Sequence, residues 1–292
     1  MNKKELLWSL FVNTGKIEYY MEYKKLKGNK ELKGNKESIW FFFIRVYYME
    51  KIEGIVVLER AHGETSKIIN ILTKEYGVIG VIAKGARTMK SDFRTTTTKL
   101  TYGYFDMIYK EGKLSVLAAT DVITNFKNIR NDIVSISYAS YLLDLAEQVS
   151  KQYTSPQIFS NLIDALKKID EGFDPIVITS IVELKYLEYL GVMPIFDKCA
   201  VCGSKFNIVT ASSTRGGYIC KECLTKERIL NEKTMKLLRM LYYVDISKIT
   251  KLEVGLDVKR ELHTFLDEYY DAYTGIYLKS KIMLKELNKI CS

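Results

Sequence analysis

Histidine is scarce in this 292-residue chain: His62 and His263 are the two it has, far apart in sequence. A mechanism that needs a histidine pair on one element is therefore excluded. Long apolar runs are also missing, since none approaches the roughly 18 residues needed to span a bilayer. The start, Met1-Asn-Lys-Lys4 followed by Leu6 to Val12, has the outline of a secretory leader. Its apolar run is short, contains Ser9 and lacks a small-residue cleavage site, so secretion is not expected. No G-x-x-x-x-G-K-[ST] pattern occurs, which excludes a nucleotide P-loop. Five cysteines are too few for a small disulfide-stapled scaffold, and 47% hydrophobic with 27% charged residues is not a disordered composition.

What is present in excess is positive charge. Forty-four Lys and Arg stand against 35 Asp and Glu, a net +9, which directs attention to an acidic partner. Residues 1–48 hold ten cations and five Glu, leaving a net +4 for the rest. Within 1–48, Leu26-Lys-Gly-Asn-Lys-Glu31 repeats as Leu32-Lys-Gly-Asn-Lys-Glu37, and an aromatic run, Trp40-Phe-Phe-Phe43, follows. A tandem repeat without hydrophobic periodicity reads as a low-complexity, dispensable extension, and Met49 would be a natural initiator.

From Glu53 the pattern becomes one of short β-branched strands, at 54–58, 67–72 and 78–83, with Gly63 and Gly77 at turn positions. Two more are expected at 100–109 and 114–119, joined by Glu111-Gly112. Five strands with no long helix between them predict a small closed barrel of OB type, over 49–125. The period then changes from 2 to 3.6: Ile133, Ile136, Ala139, Leu143, Ala146 and Val149 share one helical face. Two further stripes follow, Ile158, Leu162, Leu166 and Ile169, then Val177, Ile181, Leu184 and Leu187. Ser155-Pro156 and Asp174-Pro175 mark helix starts, and Gly191 with Pro194 marks a stop. Helical patterning resumes at Asn231 and again from Val258, where Leu262, Phe265, Tyr269 and Tyr273 read as core. The fold class expected is α+β: an N-terminal OB-type β-barrel, then an all-helical domain over 126–292 with a four-cysteine zinc-finger insertion at 196–226.

That insertion holds Cys199-Ala-Val-Cys202 and Cys220-Lys-Glu-Cys223, two CxxC pairs separated by 17 residues. The spacing fits a tetrahedral zinc site built from Cys199, Cys202, Cys220 and Cys223. Four thiolates leave no open position, so such a metal is structural. Gly203 suits a tight metal knuckle. Cys291 is left over.

The other concentrated feature is the stretch 84–99. Lys84, Arg87, Lys90, Arg94 and Lys99 against Asp92 account for the whole net charge of residues 49–292. Thr95 to Thr98 add four hydroxyls suited to phosphate oxygens, and Tyr102, Tyr104 and Phe105 could offer stacking surfaces. Two competing readings are a metal-dependent nuclease using Glu53, Glu59 and Glu64, which lack metal-ligand spacing, and an RNA-binding OB and zinc-ribbon protein.

A series of segments, in this order, resembles the RecO family of bacterial DNA repair proteins. They are Glu53-Gly-Ile-Val-Val57, Gly63-Glu-Thr-Ser-Lys67-Ile-Ile69, Leu72-Thr-Lys-Glu-Tyr-Gly77, Ala83-Lys-Gly-Ala-Arg87, Phe126-Lys-Asn-Ile-Arg130, Tyr138-Ala-Ser-Tyr-Leu-Leu143, Cys199-Ala-Val-Cys-Gly203 and Gly216-Gly-Tyr-Ile-Cys220. The resemblance spans residues 50 to about 225, while residues 1–48 depart from the family's pattern. It implies a non-enzymatic recombination mediator that binds single- and double-stranded DNA and anneals complementary strands. It also implies loading of RecA onto strands coated by single-strand-binding protein, with RecR and in some bacteria RecF. Lys84, Arg87, Lys90 and Arg94 fall on the family's basic loop, Lys99 closes the same stretch, and Arg130 matches a basic position at the domain junction, so these six are the expected DNA contacts. Neither a membrane nor a small-molecule substrate is implied, and the expected location is the cytoplasm, with the nucleoid.

Overall fold

Strand β1, Met49–His62, decides the arrangement because it is buried on both faces. Val56 points into a barrel with Ile69, Ile71, Val81, Phe105, Met107 and Leu117. Its neighbours Ile55 and Val57 point the other way, into the core of the helical region. A strand buried on both sides reads as a continuous apolar run rather than an alternation, and Gly54-Ile-Val-Val-Leu58 does so. At about 1.5–3 kcal/mol per fully buried aliphatic side chain, this double burial dominates the local energetics.

The computed structural model describes residues 3, 5–7, 10, 17–26 and 49–290. Met1–Glu50 forms one unit, whose described part includes a helix, α1, at Ile17–Leu26, and Lys51–Ser292 forms the other. The tandem repeat beyond its first residue Leu26, the Trp40–Phe43 run and Cys291 lie outside the described residues.

The barrel continues through β2 (Ser66–Thr73), β3 (Gly77–Ala83), β4 (Tyr102–Ile108) and β5 (Ser115–Thr124). Its strands close in the order β1-β2-β3-β5-β4. The β1–β2, β2–β3 and β4–β5 pairs are antiparallel, and β3 pairs with β5 in parallel through Val81↔Ser115 and Ile82↔Val116. The last seam forms where Val56 N–H donates to Thr101 O and Leu100 N–H donates to Val56 O, both at 2.9 Å. One short helix, α2 (Phe93–Thr96), interrupts the barrel between β3 and β4. This is the OB-like topology expected from the strand spacing.

Beyond the barrel the chain is helical: α3 (Lys127–Asn131), α4 (Ile133–Gln152), α5 (Pro156–Asp170) and α6 (Pro175–Tyr189), then α7 (Glu232–Tyr243), α8 (Leu256–Tyr273) and α9 (Lys279–Ile290). The punctuation works as read. Ser155 Oγ accepts from Gln157 N–H, and Asp174 Oδ1 accepts from Ile176 and Val177 N–H, each ahead of a proline at the first helical position. Helix α6 is central, packed by α4, α5, α7 and α8, and is buried on every side from Val177 to Leu184. Its one buried carboxylate, Glu183, accepts from Tyr141 Oη at 2.5 Å. Burial, and then the Glu183 charge, hold the Tyr141 hydroxyl well above its ordinary pKa, so it stays a donor.

Two expectations about the helical core need correction. Ile133 is 64% exposed as the first residue of α4, while Val134 and Ile136 in the same turn pack against the core. Tyr273 is 37% exposed; its ring stacks on Tyr269 with centroids 4.6 Å apart, and its hydroxyl donates to Thr214 O. It clamps the cysteine insertion onto α8 rather than filling the core.

Leu142, fully buried on α4, touches the core that the barrel and helices share. Leu142→Ala should cost about 2–5 kcal/mol in a denaturant titration, with the barrel and the helices unfolding in one transition.

Candidate nucleic-acid interface and metal centre

The basic stretch leaves β3 at Ala83 and is seated before it turns outward. Ala86 is fully buried in the barrel core, and Phe93 packs against the same cluster. Between them Arg87 N–H donates to Thr65 O at 2.7 Å, and Arg87 Nη1 donates to Gly63 O at 2.9 Å, fastening the loop to the β1–β2 turn. Thr88 Oγ1 donates to Gly85 O, and Ser91 N–H donates to Thr88 O. Lys84, Arg87, Lys90 and Arg94 are all exposed, and none forms an ion pair among the described residues. Asp92 is the one acid among them.

Lys99 and Arg130 are placed differently. Lys99 Nζ lies 2.7 Å from Asp144 Oδ1 on α4, both side chains about one-third exposed. Arg130 Nε donates to Asn125 O at 2.7 Å, and Nη2 donates to Lys99 O at 2.6 Å. Burial lowers the Arg130 guanidinium from its ordinary pKa, with Glu59 acting in the opposite direction. These two cations therefore tie the barrel to the helices, whereas the first four project from the loop.

The threonine run is not the row of phosphate donors its composition implies. Thr96 Oγ1 donates to Asp92 O, Thr97 Oγ1 to Phe93 O and Thr98 Oγ1 to Thr95 O. In a short helix a threonine hydroxyl bonds back to the preceding turn, and Thr97 is fully buried in doing so. The aromatic candidates divide at an irregularity: alternation would put Tyr102 and Tyr104 on one face, but the pairing of β4 with β5 shifts register between Tyr102 and Gly103. Tyr102 and Phe105 are buried, and Tyr102 Oη donates to Glu53 Oε1 at 2.5 Å. Tyr104 faces outward with the Lys51 ammonium 4.7 Å from its ring centroid. Sequence reasoning passed over Lys51, whose position opposite β4 depends on barrel closure.

Glu53, Glu59 and Glu64 do not assemble a metal site. Glu53 is taken by Tyr102, and Glu59 pairs with Lys67 at 2.6 Å. Among the described residues, the group of three or more His, Cys, Asp or Glu able to hold one ion is the cysteine set.

Cys199, Cys202, Cys220 and Cys223 are free thiols whose sulfurs all lie within 4.8 Å of one another. Cys202 Sγ and Cys220 Sγ are 3.6 Å apart. Four sulfurs each about 2.3 Å from a central tetrahedral ion would be separated by about 3.8 Å, so the arrangement fits a closed four-thiolate site. Gly203, at φ +75°, turns the first knuckle, and its N–H donates to Cys199 O. Burial raises the Cys199 thiol, but N–H groups of Cys202, Cys220 and Val201 outweigh it and bring the pKa down to about 6. The thiolate is thereby favoured at Cys199, whereas burial and then the Glu222 side chain push the Cys220 thiol up to about 12.

The second pair rides on a hairpin of β6 (Ile208–Ser212) and β7 (Gly217–Cys220), followed by a 3-10 turn at Lys221–Cys223. The hairpin is fixed to the segment after α6 by a parallel bridge, Ile195↔Gly217. A Cβ on Gly217 would lie 2.2 Å from Ile195 O, so no other residue allows this approach. Arg215, which the sequence does not single out, braces the module by donating to Cys223 O and pairing with Glu227 at 2.9 Å.

Both parts of the architecture match families of recombination proteins. The family model "Recombination protein O N terminal" matches residues 49–126, and "Recombination protein O C terminal" matches residues 130–282. The DNA repair protein RecO of Listeria monocytogenes serotype 4b (strain CLIP80459) is 37% identical over 245 residues, covering 82% of this chain and 96% of the relative. That of Bacillus subtilis (strain 168) is 35% identical over 246 residues, covering 83% and 96%. The fold and the site thus define a DNA repair and recombination protein. The chain belongs to the RecO family.

Two measurements test the geometry. The purified chain should carry one equivalent of metal by elemental analysis, and Cys220→Ser should lose it while amides across 199–223 lose exchange protection. Arg130→Ala, which strips two carbonyls of a charged donor, should lower unfolding free energy by on the order of 1–2 kcal/mol. An unchanged stability would remove Arg130 from the junction.

Proposed function

We propose that this protein is a non-enzymatic recombination mediator. It binds single- and double-stranded DNA and anneals complementary strands. With RecR, and with RecF where that protein takes part, it loads RecA onto strands coated by single-strand-binding protein. The observation that carries this reading is the set of four exposed cations, none in an ion pair among the described residues, on one braced loop of an OB-like barrel. Annealing requires two phosphate backbones to be neutralised while base edges stay free, and cationic loops do this without reading sequence.

Lys84, Arg87, Lys90 and Arg94 are the DNA contacts in this proposal. Lys99 and Arg130 hold the barrel in place beneath them, and Tyr104 is the aromatic surface nearest to a stacking role. The metal is zinc, held by the four cysteines as a structural ion, because soft thiolates in a closed set suit it and leave no position for substrate. Residues 1–48 are dispensable for DNA work, which belongs to the barrel over 49–125 and the helical domain over 126–292. No helix among the described residues is long and apolar enough to cross a membrane. Neither a membrane nor a small-molecule substrate enters this reading, which places the protein in the cytoplasm with the nucleoid.

Annealing of labelled complementary strands across a salt titration is the direct test, with an RNA competitor to separate DNA from RNA preference. Duplex affinity should fall with salt along a log–log slope of about −3.6 for four phosphate contacts. Changing Lys84, Arg87, Lys90 and Arg94 together to Glu should abolish binding in a protein that keeps its fold and metal. Wild-type affinity in that variant would sink the site assignment.

A further inference from the structure

Among the described residues, the most exposed large apolar side chain is Met89, at 84%. Single exposed apolar residues are ordinary on a protein surface, so exposure alone carries no weight. The setting of Met89 is what matters. It stands in sequence among Lys84, Arg87, Lys90 and Arg94, all exposed, while the loop's other apolar side chains, Ala86 and Phe93, pack with the barrel core. The backbone beneath it is fastened at both ends, by buried Ala86 with the two Arg87 bonds on one side and by half-buried Phe93 on the other. Two turn bonds lie between, Thr88 N–H to Gly85 O and Ser91 N–H to Thr88 O. The side chain is braced as well, because Arg94 Nη1 donates to its sulfur at 3.7 Å.

We propose that Met89 is a wedge that enters between stacked bases of duplex DNA held by the surrounding cations. This rests on the DNA-binding reading above and adds how the loop engages its ligand. Cations on each side of the residue attract the two phosphate strands, which leaves the groove and its base edges facing the apolar tip. A methionine aimed there has one favourable partner, the flat faces of bases, and inserted apolar side chains unstack a step and kink the duplex. Flexible pyrimidine–purine steps yield first. A polarisable thioether on an unbranched stem suits such an entry better than a β-branched side chain would. The opened step serves a strand-annealing factor in both directions, since it destabilises mispaired helices as well as presenting unstacked bases for new pairing.

The experiment uses the full chain and a duplex carrying one 2-aminopurine beside a TA step, whose fluorescence rises on unstacking. Wild type and Met89→Leu should raise the signal on binding, and Met89→Ala should lose the rise while keeping the salt slope of duplex affinity. An equal rise with Met89→Ala overturns the wedge. Binding by wild type with no rise also overturns it, yet leaves the cationic interface standing. If wild type does not bind the duplex at all, both readings fall.

Discussion

The double burial of β1 is the constraint on which the rest of the molecule depends. Because Ile55 and Val57 leave the barrel on the side opposite Val56, one flank of the barrel is apolar and finds its cover in the helices. Leu72, Leu100 and Tyr102 join the same shared core, where the Tyr102 ring lies against Phe126 and Phe159. Around this apolar seam runs a rim of polar ties. Asn70 donates to Glu147, Lys99 pairs with Asp144, and Arg130 donates to the carbonyls of Asn125 and Lys99. A rim like this adds modest energy but fixes orientation, since each tie demands a particular partner.

The seam also explains the division of charge. Cations close to it find carboxylates or carbonyls and serve the structure. Those of the 84–94 loop are exposed and form no ion pair among the described residues, although Arg87 also donates to Gly63 O. The rigid scaffold beneath that loop is what turns four exposed cations into a surface of defined spacing. The cysteine module follows the opposite logic. It is a two-stranded hairpin too small for a core of its own, held by four converging sulfurs and by the Ile195–Gly217 contact.

Much of this was readable in the chain. Alternation and turn glycines indicated five strands, Ser155 and Asp174 marked two helix starts, and the CxxC spacing placed four sulfurs together. What escaped was whatever depends on partners remote in sequence. Lys99 and Asp144 are 45 positions apart, so nothing local distinguishes Lys99 from Arg94. The threonine run looked like a donor surface because the short helix that absorbs its hydroxyls has almost no pattern of its own. Tyr102 and Tyr104 would share a face by alternation, and the shift of register between Tyr102 and Gly103 that parts them leaves no mark in the sequence.

The shared core has a consequence for the order in which the chain is made. Barrel strands leave the ribosome before the helices that cover them, so Ile55, Val57, Leu72, Leu100 and Tyr102 emerge without their cover. At about 5–20 residues per second, the interval between the end of β5 and the end of α5 lasts about 2–10 seconds. During that window the nascent protein presents a nearly finished cylinder with one adhesive flank. Its safe passage rests on how soon translation delivers the first long helices, a timing imposed by the same strand that unites the finished molecule.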